Sequence, residues 1–217
     1  MSGRSAPPAP LPGWTSWAVL VTLLAFCAWH GARMVTGLPF PPDVDALRDI
    51  GYAQGLLDGN WLGDPSHLGA WRFYPPFVSA IRGLMFRVLG GEDLARFWVE
   101  SSPWLNLLIL IAGFGMARIL FRADAPAVTM VALLVLVNPV LGDMFATGGY
   151  TPWPAGPLLV NALFYAVLWL LLCRVAAARV VDAALIGAGI GLTFQAHVVP
   201  AVVLTGIVTA TAFAVQA

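Results

Sequence analysis

Long apolar runs separated by shorter polar segments make up most of this chain. The runs cover residues 14–34, 101–120, 126–141 and 155–173, and an uncharged run covers 183–217. A helix needs about 20 apolar residues to cross a bilayer. The last run is too long for one span and contains Gln195, His197 and Pro200 near its middle, so it predicts a helical hairpin or a broken pair of helices. The pattern predicts an all-α fold, a polytopic bundle of transmembrane helices.

Residues 35–100 break this pattern, because they carry most of the acidic residues. Pro41 and Pro42 cannot continue a helix, and Asp43 is a suitable N-cap for a helix over 44–58. Residues at helical spacing give this helix a polar face, made of Asp45, Arg48, Asp49 and Tyr52. We expect an amphipathic helix that lies along the membrane surface within a long outer loop.

A second short helix is predicted over 77–90. It is too short for a comfortable span and contains Arg82 and Arg87, which favours an interfacial or re-entrant position. The two arginines differ by about one and a half turns, so at most one of them can point into the protein. Between the two helices, residues 60–76 form an irregular loop whose aromatic side chains suit the headgroup level of a membrane.

Composition supports a membrane protein. Of the 217 residues, 59% are hydrophobic and 10% are charged, whereas soluble domains carry about 25% charged residues. The net charge is zero, which gives no indication of nucleic-acid binding. All basic residues are Arg, and together with the many Ala and Gly residues this indicates a GC-rich bacterial genome. Cys27 and Cys173 both lie in apolar runs, so we interpret them as buried hydrophobic residues rather than a disulfide.

Arginine placement predicts the orientation in the membrane. Two short loops carry paired basic residues and should face the cytoplasm, namely those with Arg118 and Arg122 and with Arg174 and Arg179. Residues 1–13 are then a disordered cytoplasmic tail, and 14–217 form the membrane domain of a bacterial inner-membrane protein. Residues 35–100 and 142–154 lie outside.

The first apolar run is interpreted as a retained span, because it is longer than the core of a signal peptide and no cleavage site follows it. The last run has no polar flank or basic anchor, which predicts the N-terminal part of a longer chain.

The acids after the first span are candidates for chemistry. Asp43 and Asp45 could supply a general base or bind a divalent cation such as Mg²⁺ or Mn²⁺. The structural interpretation is that Asp43 caps the following helix and Asp45 favours its dipole. Since the two residues are so close, they could also divide these roles.

Other polar residues have similar alternatives. Arg72 is suited to bidentate phosphate binding, or it anchors the loop at the membrane surface. His67 is a base, a ligand or a simple loop residue, and Asp143 supplies a second carboxylate only if the two outer loops close on each other. His197 interrupts an uncharged run, where ionisable groups tend to be functional, unless it lies at the outer interface.

The order of these features resembles the start of GT-C-type membrane glycosyltransferases. Such enzymes have a first span, an outer loop with an acid, a helix that ends in Gly, and then Tyr-Pro-Pro. The matching residues here are Asp43 and Asp45, LLDGNW at 56–61 and FYPPF at 73–77. The resemblance extends over about the first 160 residues.

The resemblance implies transfer of a sugar from a polyprenyl-phosphate donor to a glycan, lipid or protein acceptor of the cell envelope, on the non-cytoplasmic side. It implies Asp43 or Asp45 as catalytic residue and possible ligand of a divalent cation, as some members use one. The substrate-binding residues it suggests are Arg48, Arg72, Tyr74, His67, Asp143 and His197. Two other functions remain open: a transporter or lipid flippase that uses the acids as ion or substrate sites, and a non-catalytic scaffold in which the acids are caps and the aromatics are anchors.

Overall fold

The computed structural model of the chain describes residues 13–65, 67, 69–72, 74–141, 149–153, 157–174 and 179–216. In this part the chain forms helices joined by short connections, and the only β-type pairing is an isolated bridge between Gly63 and Trp71. The helices are α1 (Gly13–Val35), α2 (Val44–Leu57), α3 (Phe77–Leu89), α4 (Leu94–Phe121), α5 (Asp124–Leu141), α6 (Pro157–Arg174), α7 (Val180–Ala196) and α8 (Val198–Gln216). The predicted all-α fold class is confirmed for these residues.

Two of the helices, α1 and α4, are long and apolar enough to cross a membrane by length and composition. The described parts of α5 to α8 are apolar but shorter. Helix α4 is the centre of the bundle, because α1, α5 and α6 all pack against it. The core between them is built from aliphatic side chains, including Leu20, Ile109, Leu110 and Val131.

Helix α4 begins earlier than the apolar run predicts. Its first residue is Leu94, and the Asp93 carboxylate accepts hydrogen bonds from the backbone N–H groups of Ala95 and Arg96 at 2.8 and 3.2 Å. This N-cap starts the helix seven residues before position 101, so the last part of the predicted outer loop 35–100 is helical. Pro103 then lies inside the helix rather than at its start.

The uncharged run predicted as a hairpin or broken pair forms α7 and α8, which meet at His197. His197 has an extended backbone, with φ −166° and ψ 134°, and this conformation ends α7. Ile186 of α7 and Leu204 of α8 share one apolar cluster with Val167 of α6. The two helices therefore fold back on each other and pack against α6.

Helices α2 and α3 pack together at one end of the bundle. Their shared cluster contains Ala53 of α2, Val78 of α3, Trp98 near the start of α4 and Val160 near the start of α6. Ala196 at the end of α7 packs against the same cluster. The polar segments around α2 and the α7–α8 junction therefore lie at the same end of the bundle.

Candidate functional site

Asp43 lies at the start of α2 and acts as its N-cap. Its carboxylate accepts a hydrogen bond from the backbone N–H of Asp45 at 3.0 Å, and the residue is only 6% exposed. The preceding prolines, Pro41 and Pro42, keep the chain out of helical conformation up to this point. The structure thus gives Asp43 the capping role that its position in the sequence suggested.

The polar face of α2 forms a small ion-pair network around Arg48. The Arg48 Nη1 donates to the Asp45 carboxylate at 2.7 Å, while its Nε and Nη2 donate to one oxygen of Asp49 at 3.2 and 3.1 Å. The guanidinium also lies over the Tyr74 ring, with its carbon 3.7 Å from the ring centroid. Arg48 therefore joins both acids of α2 to the Tyr-Pro-Pro segment that precedes α3.

This network borders a cavity of about 100 Å³, large enough for several water molecules. The lining residues come from four parts of the chain and are Asp45, Arg48, Asp49, Tyr74, Pro75, Val78, Val160, Ala196 and His197. Four of the residues singled out in the sequence meet here, namely Asp45, Arg48, Tyr74 and His197. We refer to this space as the acidic cavity, because two carboxylates line it.

A larger cavity of about 540 Å³ lies beside the acidic cavity and shares Tyr74, Pro75 and His197 with it. Its other described lining residues are Arg72, Pro76, Phe194, Gln195 and Val198. The volume is within the range of small-molecule sites. We refer to it as the cationic cavity, because Arg72 supplies the charge among its described lining residues.

Arg72 is held between the loop and α2. Its Nη2 donates to the backbone carbonyl oxygens of Asn60 at 3.1 Å and Tyr52 at 3.4 Å, and its guanidinium lies 4.9 Å from the centroid of the Tyr52 ring. Burial lowers the pKa of Arg72, although Tyr52 and Asp64 act in the opposite direction. Nε and Nη1 find no hydrogen-bond partner in the described part of the chain. Arg72 thus brings a positive charge to the cationic cavity, while two of its donor atoms are buried without a partner in the described residues.

Two buried charged residues were not among the predicted site residues: Asp49, which lines the acidic cavity, and Arg82, which lies behind Asp49. Asp49 is 9% exposed, and burial raises the pKa of its carboxyl group, while Arg48 and Arg82 act in the opposite direction. Arg82 is 4% exposed, and its exposed neighbour on α3, Arg87, points away, as the helical spacing predicts for one of the pair. The i, i+4 spacing of Asp45 and Asp49 was the available signal for Asp49.

Arg82 is bound to the first turns of α4. Its Nη2 donates to the Trp98 carbonyl oxygen and to the hydroxyls of Ser101 at 2.7 Å and Ser102 at 2.8 Å. The guanidinium also lies over the Trp98 ring, 4.1 Å from its centroid. Burial lowers the pKa of Arg82 to about 9, with Asp49 partly opposing this effect. Arg82 therefore joins α3 to α4 and places a buried positive charge behind Asp49.

His197 reaches both cavities from the junction of α7 and α8. Its backbone N–H donates to the Thr193 carbonyl oxygen at 2.7 Å, which closes α7. Its ring Nδ1 accepts a hydrogen bond from the backbone N–H of Val199 at 3.3 Å, in the first turn of α8. The imidazole is therefore also the N-cap of α8.

The remaining predicted residues lie elsewhere or outside the described residues. His67 is exposed in the loop before α3, with Nδ1 3.7 Å from the Asp64 carboxylate, and lines neither cavity. Asp64 itself accepts a hydrogen bond from the Tyr52 hydroxyl at 2.7 Å, which connects this loop to α2. Asp143 lies outside the described residues, as does Phe73 of the FYPPF segment.

The donors suited to a metal ion are dispersed in the described part of the chain, where no group of three or more His, Cys, Asp and Glu side chains comes together. One Asp43 oxygen accepts a backbone N–H and one Asp45 oxygen accepts from Arg48. A divalent cation at these two carboxylates would take further oxygen ligands from a bound phosphate or from water.

Comparison with protein-family models, with curated proteins and with solved structures finds no match to this chain.

Proposed function

We propose that this chain is part of a membrane glycosyltransferase that moves a sugar from a polyprenyl-phosphate donor to a glycan, lipid or protein acceptor of the cell envelope. The main support is the meeting of Asp45, Arg48 and His197 at one cavity, beside a larger cavity that contains Arg72. Sugar transfer needs a group that takes the proton of the acceptor hydroxyl and positive charge that stabilises the departing phosphate. Both kinds of group border these two cavities.

In the proposed reaction, the acceptor hydroxyl attacks the anomeric carbon of the donor sugar. The new glycosidic bond forms as the bond between sugar and phosphate breaks, and the hydroxyl proton passes to a carboxylate of α2. Asp45 is the favoured base, because it lines the acidic cavity, whereas the Asp43 carboxylate is buried and caps the helix. The phosphate leaves with its bonding electrons and is stabilised by cations such as Arg72.

The proposed setting is the bacterial inner membrane, with α1 and α4 as the firmest spans. Arginines at the other end of the bundle support this orientation. Arg118 pairs with Asp124 at 2.7 Å where α4 and α5 meet, and Arg174 and Arg179 surround Asp182 where α6 and α7 meet. The positive-inside rule places these short connections in the cytoplasm. The end with both cavities then faces outwards, where polyprenyl-linked sugars are used in the family that this sequence resembles.

The test is transfer by the purified chain in liposomes, supplied with a panel of polyprenyl-phosphate-linked hexoses and pentoses. Asp45→Asn should lower the rate by roughly 10²–10⁴-fold, because the amide cannot take up the proton. Asp43→Asn should retain most of the rate, because Asn caps a helix almost as well as Asp. Equal, near-normal rates for both variants would contradict the assignment of the base. Dependence of the rate on added Mg²⁺ or Mn²⁺ would show whether a divalent cation takes part.

The helix break at His197 favours a transporter as the second candidate, because discontinuous helices beside a cavity are typical of transporter binding sites. The same liposomes distinguish the two functions. Movement of a labelled polyprenyl-phosphate sugar between leaflets, without product formation, would support the transporter. Neither transfer nor movement in liposomes would leave the scaffold as the better interpretation.

A further inference from the structure

We propose that His197 is a fixed hydrogen-bond donor, which presents its Nε2–H to the phosphate of a prenyl phosphate bound in the cationic cavity. The proposal rests on the proposed function for the identity of the ligand. Its structural basis is the junction between α7 and α8, where one side chain both caps a helix and borders two cavities.

The capping bond determines which ring nitrogen carries the proton. Nδ1 of His197 accepts the backbone N–H of Val199, so this nitrogen must present a lone pair. In a neutral imidazole with Nδ1 as acceptor, the proton is on Nε2. The remaining nitrogen of His197 is therefore a donor, and the ring can act as a base towards a ligand only by giving up the cap of α8.

The charges around His197 separate into two sides. The acidic cavity has Asp45 and Asp49, with Arg48 between them and Tyr74 beside it. The cationic cavity has Arg72, with Gln195 as a further hydrogen-bonding side chain and no carboxylate among its described lining residues.

An anion is attracted to the cationic cavity by Arg72 and is repelled from the acidic cavity by its two carboxylates. The cationic cavity has a volume of about 540 Å³, which can hold a phosphate with the first part of an isoprenoid chain. Pro75, Pro76, Phe194 and Val198 give this cavity apolar walls that suit such a chain. His197 lies on the boundary, where the bond between phosphate and sugar would be placed next to the carboxylate that accepts the proton.

Two variants with side chains of nearly the same shape as each other separate the donor role of His197 from its capping role. His197→Asn and His197→Asp both provide an oxygen that can cap α8, and Asn and Asp cap helices about equally well. Only the Asn side chain can also donate a hydrogen bond. The Asp side chain would instead place a third carboxylate near the phosphate. His197→Ala removes both the cap and the donor.

Binding is measured by calorimetry on the purified protein in detergent, with farnesyl phosphate as the probe, farnesol as the uncharged control and inorganic phosphate as the headgroup alone. A hydrogen bond to a charged group corresponds to a change in Kd of about 10-fold to 150-fold. We expect His197→Asp and His197→Ala to weaken farnesyl phosphate binding within or beyond this range, and His197→Asn to weaken it clearly less. Farnesol binding should stay the same in all variants, whose folding is compared by their thermal unfolding.

Equal affinity of the Asn and Asp variants for farnesyl phosphate would overturn the proposal, because capping alone would then explain His197. Absence of farnesyl phosphate binding to the unchanged protein would overturn it as well. The binding assay does not depend on turnover. If His197→Asp and His197→Ala weaken binding, His197→Asn weakens it clearly less and the protein transfers no sugar, the donor role stands and the glycosyltransferase fails. If the three His197 variants rank in the same order for inorganic phosphate, and farnesyl phosphate binds no tighter than inorganic phosphate, the donor role stands and the lipid-linked ligand fails.

Discussion

Replacement of Arg82 by Met tests whether the buried charges behind the acidic cavity form one electrostatic unit. Met has a similar length and fits an apolar interior, so the change removes the charge and the donors without leaving a large cavity. Arg87→Met is the matched control, because Arg87 is on the same helix but is exposed. The measured quantity is the midpoint of thermal unfolding in detergent, followed by tryptophan fluorescence.

The magnitude follows from two opposing contributions. A pKa lowered from 12.5 to about 9 means that burying the charged form of Arg82 costs roughly 5 kcal/mol, at about 1.4 kcal/mol per pH unit. Nη2 of Arg82 has two N–H bonds to share among the Trp98 carbonyl oxygen and the hydroxyls of Ser101 and Ser102. They correspond to about two hydrogen bonds from a charged donor, at about 1.5–3 kcal/mol each, and offset this cost. The two contributions nearly cancel, so the net contribution of Arg82 by itself is close to zero.

Arg82→Met should cost more stability than this net contribution, because Asp49 then loses a nearby positive charge. Burial raises the pKa of its carboxyl group, so the folded state holds the proton up to a higher pH than the unfolded chain does. Ionised Asp49 therefore lowers stability as pH rises through its folded-state pKa, and Arg82 reduces this penalty. Without Arg82, the penalty increases, and Asp49→Asn in the same chain should relieve it.

We expect Arg82→Met to lower the unfolding midpoint by about 3–6 °C, since loss of its coupling with Asp49 amounts to about 0.5–3 kcal/mol and 1 kcal/mol corresponds to about 2–4 °C for a protein of this size. Arg87→Met should leave the midpoint unchanged. Adding Asp49→Asn to Arg82→Met should raise the midpoint by roughly 2–4 °C, because interacting residues give coupling energies of about 0.5–3 kcal/mol. A double variant less stable than Arg82→Met alone would show that the two charges are not coupled. An unchanged midpoint for Arg82→Met would refute a stabilising interaction between Arg82 and Asp49.

Three further predictions concern separate parts of the molecule. Asp43→Ala should lower the free energy of unfolding by about 0.5–2 kcal/mol through loss of the α2 cap, whereas Asp43→Asn should preserve it in the same unfolding assay. Gly31→Ala should destabilise the fold by about 1–3 kcal/mol, because an added Cβ would overlap with the Tyr150 hydroxyl. Gly187→Ala on α7, with open space around it, should be neutral or stabilising in thermal unfolding. A cysteine at position 60 should react with an impermeant maleimide added outside sealed cells, and labelling only after the membrane is opened would reverse the proposed orientation.

Most of the helices could be predicted from the sequence, because the long apolar runs are separated by polar segments that contain prolines or arginines. The start of α4 could not, since the charged residues before position 101 favour a polar loop. Asp93 was the missed signal, because an acid before a partly apolar segment is a good N-cap. The start of α2 is easier to predict, because its N-cap, Asp43, follows directly after Pro41 and Pro42.

The candidate site was predictable only where its residues are close in sequence. Asp45 and Arg48 are one helical turn apart, so their ion pair follows from spacing alone. His197 is about 150 positions away and reaches the same cavity only because α6 and α7 pack next to α2 and α3. The burial of Arg82 likewise depends on the position of α4 and cannot be obtained from the pattern of α3.

The two acids of the acidic cavity have different surroundings, which favours different roles. The Asp45 side chain is 61% exposed and contacts one arginine, so an acceptor can reach it. The Asp49 side chain is 13% exposed and is held by Arg48 with Arg82 nearby, so its charge is part of the packing of α2 against α3. Because Arg48 binds both acids, Asp49 also fixes the arginine that lies against Asp45. In the proposed enzyme, Asp45 is therefore the residue that exchanges a proton with the acceptor, and Asp49 positions Arg48.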